Sequence, residues 1–164
     1  MIIKTIAATL VALAFLLVAP GANAAEFEKL TVFQDAPVLV DDADADLEAN
    51  KTGHVLFFAG VLRNAKDRKI GEVIGQITTF DVTIDGVAEE DRFRELVFNM
   101  KKGQIVVLGA SQYLASEAPE FANDNAAATA VIVGGTGDYV GARGTVTTKQ
   151  RSDGTYRHTF RIME

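Results

Sequence analysis

The stretch "AVIVGGTGDYVGARG", Ala130 to Gly144, decides the fold, because two incompatible structures can begin with such a run. An apolar β-type segment leading into Gly134, Gly135, Gly137 and Gly141 can cradle the pyrophosphate of a dinucleotide, or it can turn one strand back onto the next. A dinucleotide fold needs G-x-G-x-x-G, a helix directly after it, and a second strand with an acid about 20 residues on. Val140 stands where the third glycine should be, and no Gly-Lys-Ser/Thr follows that would make a Walker loop. After Gly144 come Thr145–Glu164, which alternate as a β-hairpin, so no helix N-terminus faces a phosphate. The glycines therefore serve a turn between strands.

The same alternation of Val, Ile, Thr and Phe recurs along the chain, punctuated by Gly, Asn and Asp, and no amphipathic run of about ten residues or more suggests a helix. The pattern predicts strands near Phe27–Gln34, Gly53–Arg63, Ile70–Ile84, Arg92–Met100, Gln104–Tyr113, Ala127–Val133, Val140–Gln150 and Thr155–Met163. Lys101-Lys102-Gly103 and Ser152-Asp153-Gly154 read as hairpin turns and make their flanking strands antiparallel. The reading is all-β. Strands in this number suit a small closed antiparallel barrel, and two packed sheets give the same pattern. Asp41–Asn50 and Ala115–Asn125 carry little periodic signal and read as loops.

Residues 1–24 read as a secretory signal peptide: Lys4, an apolar run from Ile6 to Ala19, then Pro20, Gly21 and the small-residue site Ala22-Asn23-Ala24. The run is shorter than the roughly 20 residues needed to cross a bilayer, and no second one follows. The expectation is a secreted or periplasmic chain, cleaved near Ala24, with residues 25–164 as a single domain and no membrane insertion. Cysteine is absent, so no disulfide supports the core. The formal net charge is −6, and loss of Lys4 with the leader makes it one unit more negative. Neither Lys nor Arg gathers into a run with interleaved aromatics, which argues against nucleic acid and against anionic lipid as partners.

With the turn and strands in place, "VIVGGTGDYVGARGTVTTKQ" closely resembles the C-terminal motif of the allene oxide cyclase and dirigent barrel superfamily. That motif is a G-G-T/S-G turn, an aromatic two residues on, filled here by Tyr139, and a short glycine-bearing strand matched by Ala142-Arg143-Gly144. Upstream, "GHVLFFAGVL" is similar to the family's second strand, "IGEVIGQ" to its G-x-x-x-G strand with Gly71 and Gly75, and "KKGQIVVLGA" to a later hairpin. "LTVFQDA", ending in Asp35-Ala36, is similar to the first strand, where the family often has an acid at its pocket. The resemblance implies an eight-stranded antiparallel, calycin-type barrel with an apolar central pocket, assembled as a homotrimer. It implies a small lipophilic ligand whose cyclisation or stereoselective coupling the barrel steers, an isomerase-like or cyclase-like activity where there is catalysis. Departures are plain: Gln34-Asp35 replaces the dirigent His-Asp pair, Val140 replaces an arginine, and the plant-type cysteine pair is missing.

Other chemistry has little material. Ser111, Ser116 and Ser152 lie in no nucleophile elbow, and His54 and His158 share no metal-ligand spacing, so no metal or cofactor is expected. "DDADADLEAN" invites a calcium-loop reading, but with Asp42 first the turn glycine is Leu47 and the bidentate Glu is Gly53, so it reads as a solvated acidic loop. His158 alternates in phase with Tyr156, Phe160 and Ile162, as a hydrogen-bonded core histidine does, with a pocket acid or base as the alternative. The catalytic candidates are Asp35, a proton donor or acceptor if a pocket desolvates it and otherwise a turn cap beside Pro37, and Arg143. Arg143 shares parity with Thr145 and Thr147; the resemblance favours it inside, where a guanidinium would stabilise charge on an oxygen, against an exposed arginine. Gly134, Gly135, Gly137, Tyr139, Gly141 and Gly144 form the structural turn. The alternative function is a non-catalytic, lipocalin-like carrier or interaction module.

Overall fold

Strong β-formers in period-2 alternation give each strand one face for a core and one for solvent, and a sheet of such strands can close on itself. The computed structural model describes residues 26–39, 52–84, 87–114 and 127–163, of which 81–84, 87–91 and 111–114 are described by their backbone. Its strands are β1 (Phe27–Gln34), β2 (Val38–Leu39), β3 (Val55–Arg63), β4 (Lys69–Ile84), β5 (Val87–Met100), β6 (Gly103–Leu114), β7 (Ala127–Gly135), β8 (Gly144–Gln150) and β9 (Tyr156–Met163). They pair in the order β1-β9-β8-β7-β6-β5-β4-β3-β2, and β1 also pairs with β3, which closes the sheet. All the pairings are antiparallel.

β2 is the continuation of β1. Phe33 and Gln34 pair with Arg63 and Leu62, and after a break at Asp35-Ala36-Pro37 the strand resumes with Val38 on Ala59 and Leu39 on Phe58. The break holds one residue more than the two that separate Leu62 from Ala59 on β3, as at a bulge. Counting β1 and β2 together, the molecule is a closed eight-stranded antiparallel barrel. Inward-facing Val32, Leu62, Val73, Phe98, Val107 and Phe160 are wholly buried and form its dry core. Fully burying a side chain of this size is worth roughly 1.5–3 kcal/mol, which lets a chain without disulfides hold together.

The glycine stretch closes one end. Gly134 and Gly135 finish β7, a single 3₁₀ turn follows over Gly137–Tyr139, and the loop lies across the β5–β6 hairpin. The Thr136 and Asp138 amides donate to the carbonyls of Gln104 and Lys102, each at 2.9 Å, and the Gln104 amide donates to Thr136 Oγ1 at 3.0 Å. Gly137 has φ 61°, and a Cβ there would fall on the Lys102 carbonyl oxygen. Tyr139 packs beneath the core, where burial raises the pKa of its phenol, with Glu28 and Asp138 adding to the shift.

Two sequence expectations change. Val140–Arg143 is not strand: Val140 is 77% exposed, Gly141 turns with φ 80°, and β8 starts only at Gly144. β5 begins at Val87, earlier than expected, because backbone pairing from Ile84–Val87 onward extends it through the acid-rich "VAEED" that does not alternate. The leader over 1–24, the acidic loop with Asp42, Asp44 and Asp46, and the loop at 115–125 lie outside the described residues.

Candidate functional site

Polarity divides the barrel interior lengthwise. On three adjacent strands a polar residue stands two positions from a wholly buried apolar one, on the same inward face: Gln34 after Val32 on β1, Thr148 after Val146 on β8, and His158 before Phe160 on β9. β5 does the same, with Arg94 before Leu96 and Phe98. These residues make a polar cup on an aromatic floor. The Phe98 ring meets His158 and Phe160 edge-on, each at 4.9 Å between centroids.

His158 anchors the cup. Its Nδ1 lies 2.9 Å from Thr148 Oγ1 and its Nε2 lies 2.9 Å from Gln34 Oε1. With the Gln34 carbonyl oxygen as acceptor, the imidazole carries its proton on Nε2 and Nδ1 accepts from the Thr148 hydroxyl; the tautomer follows from the assigned amide orientation. Burial, and then the nearby Arg94 charge, push the His158 pKa down to about 3. The ring is therefore neutral at any ordinary pH. Tyr156 stacks on it at 6.4 Å, and Gln150 Nε2 donates to the Tyr156 hydroxyl at 3.3 Å.

Small residues make the space. A Cβ at Gly60 would run into the Gln34 side chain, at 2.8 Å from its Cγ, so β3 leaves room there for the glutamine to reach His158. Gln34, Phe58, Arg94, Thr148, Tyr156 and His158 surround a cavity of about 20 Å³, space for a single water-sized body. The walls continue past it, since β4 runs on to Ile84, β5 starts at Val87 and β6 extends to Leu114.

The two catalytic candidates from sequence stand elsewhere. Asp35 lies just past β1, one position out of phase with Gln34, and binds Arg63 through two oxygens, at 2.8 Å to Nε and 2.9 Å to Nη2. Its hydrogen bond and charge raise the Arg63 pKa, so the pair is a clamp across the β1–β3 seam. Arg143 is exposed and out of phase with buried Val146 and Thr148. Neither borders the cavity. His158 lies buried and bonded through both nitrogens, the core-histidine arrangement, yet it also forms a cavity wall. In the sequence Gln34 stands out only as a departure from the dirigent His-Asp pair, and Arg94 does not stand out at all. The signal for Arg94 was its phase with Leu96, Phe98 and Met100 in "RFRELVFNM", hidden because charged residues are ordinarily outside. Among the described residues no three His, Asp or Glu side chains converge as metal ligands would.

Outside the barrel, Phe57, Ile74, Val97, Val106, Leu108 and Val131 form an apolar face across β3 to β7, with a groove of about 570 Å³. The cross-strand pair Gln76–Glu95 is set into it, side chain hydrogen-bonded to side chain.

Fold and site together define the class: a closed, calycin-like β-barrel with a polar cup at one end of an apolar interior. Two solved structures share this architecture. Pyocyanin demethylase superposes with a TM-score of 0.61 at 18% sequence identity, over 83% of this chain and 100% of its own. AbnU, described as an exo-specific intermolecular Diels-Alderase, superposes with a TM-score of 0.50 at 12% identity, over 84% of this chain and 99% of its own. Likeness at these identities is likeness of fold. No protein-family model and no curated protein matches the sequence.

Proposed function

We propose that the protein binds a small lipophilic molecule in the upper barrel, where the strand walls run on beyond the polar cup of Gln34, Arg94, Thr148, Tyr156 and His158, and steers its cyclisation or coupling. One observation carries this: a cluster of buried polar side chains, hydrogen-bonded to one another above a wholly apolar floor. A barrel that only had to fold would gain by continuing its apolar filling, because buried polar groups must be fully partnered to break even. The two barrels of like fold, named as a demethylase and a Diels-Alderase, are enzymes of small organic molecules, which favours the same use here.

The test is incubation with polyunsaturated epoxides, phenoxyl-generating mixtures and polyene ketones, followed by chiral chromatography, beside mass spectrometry of what co-purifies. Stereochemically enriched product supports steering. Binding without enrichment leaves the carrier reading, and Thr148→Phe, which fills the cup, should abolish binding in a variant that still folds. We further propose export through the leader at residues 1–24; mass measurement of protein recovered from the periplasm or medium, with an N-terminus near Ala25, tests it.

The apolar outer face fits a second copy of the chain, as in a closed homotrimer. Glu95 within it, and Glu72 beside Ile74 on the same outward row of β4, are matched by Lys149, Arg157 and Arg161 on the outward positions of β8 and β9, so one copy's β3–β7 face can meet the next copy's β8–β9 face. Head-to-tail contacts of this kind close into a ring when three copies related by a threefold rotation complete the circuit.

A further inference from the structure

Resting on the reading of the upper barrel as a ligand cup, we propose that the molecule it takes carries an oxyanion, a carboxylate or phenolate, and that Arg92 and Arg94 receive it. The two arginines stand two residues apart on β5 and so share a face, the one that carries Leu96 and Phe98 into the core. Arg94 is only 6% exposed and borders the cavity. Arg92 is half-buried one step nearer the mouth, opposite Thr79 and Ser111 in register, and the Nε atoms of both are shut off from solvent.

Two guanidinium groups on one inner strand are a costly way to fill a barrel, because removing a charge from water is costly and apolar residues of similar volume often serve stability as well. They are an effective way to hold an anion. A planar guanidinium matches a carboxylate with parallel N–H donors, and such charge-assisted bonds are roughly twice as strong as neutral ones. Five donors on each let it keep contacts within the protein and hold a ligand oxygen as well. His158 is neutral, so the positive charge of the cup belongs to the arginines. Phe58, Leu96 and Tyr156, which also line the cavity, offer apolar surface to the ligand's body. Asp81 and Glu90, which pair with each other two residues beyond Thr79 and Arg92, define the competing outcome, in which carboxylates of the chain itself consume both arginines.

Fluorescence titration of the whole protein with 8-anilinonaphthalene-1-sulfonate and with N-phenyl-1-naphthylamine compares one aromatic body with and without its acidic group. The sulfonate should bind at least about tenfold more tightly at low salt, and the gap should narrow as salt is added. Arg92→Gln and Arg94→Gln should each weaken sulfonate binding more than neutral-dye binding, so that the preference shrinks. Should either fail to fold by circular dichroism, the lysine variants and displacement of the bound sulfonate from wild-type protein by 1-naphthoate, against its methyl ester, decide instead. Equal binding of acid and ester, or a preference that survives in both folded variants, overturns the oxyanion assignment and leaves the cup standing. If neither dye nor naphthoate binds, the cup reading falls and takes this inference with it.

Discussion

His158 is held neutral because its imidazole is cut off from water and shares the upper barrel with Arg94. Its folded pKa of about 3 lies below the ordinary 6.5, so on acidification the unfolded chain takes up the proton first. The stability at stake is fully present above pH 6.5 and is lost as pH falls toward 3, by at most about 1.4 kcal/mol for each unit. Urea unfolding at pH 7.5, 6 and 5 should show wild-type protein losing stability more steeply than His158→Gln, and parallel curves would contradict this. Arg143→Leu and Asp35→Asn make the opposite prediction, because neither side chain borders the cup. Both variants, when folded, should keep wild-type affinity for any ligand of the interior, measured by titration. Here the sequence was legible only in part. Alternation placed His158 inside, but parity alone could not say which face of the 143–147 segment turned inward, and Gly141 moved Arg143 out of the strand altogether.

At the scale of elements, the glycine stretch and its hairpin are a lock rather than a ligand loop. Gly144 opens β8 with φ 137°, and a Cβ there would fall on the Arg161 carbonyl oxygen of β9, so Gly144→Ala should cost about 2 kcal/mol or more. That corresponds to a drop in Tm of about 4 °C or more, measurable by calorimetry. Gly134→Ala is the control: a Cβ there meets nothing within 4 Å and φ is not positive, so its Tm should stay near that of wild type. The motif's glycines are thus unequal, although they look alike in the sequence. β1, β3, β4, β6 and β9 follow the alternation closely, since one face of each is buried and a strand cannot slip by one residue without exposing its core side. β5 was less legible, because its first residues are held by backbone pairing, which acts without regard to side-chain type.

For the whole molecule, closure of the sheet leaves an apolar outer face that one protomer cannot cover, with Phe57, Ile74, Val131 and Val133 each about half exposed. We propose that a second copy of the chain covers this face. Ile74→Glu should convert the proposed trimer into a folded monomer, seen as a threefold fall in sedimentation mass with an unchanged circular dichroism spectrum. A monomeric wild-type protein would refute the assembly. The sequence by itself determined the all-β class of the described residues, where most strands run, and that the glycines turn rather than bind, because these depend on neighbours along the chain and on a period of two. Only the tertiary structure decided that β1 closes onto β3 through the break at Asp35, that Asp35 pairs with Arg63, and that Gln34, Arg94, Thr148 and His158 meet above Phe98. Those contacts join residues as much as 124 positions apart, as Gln34 and His158 are, and such distances are set by the curvature and register of a closed sheet, which no local pattern of residues encodes.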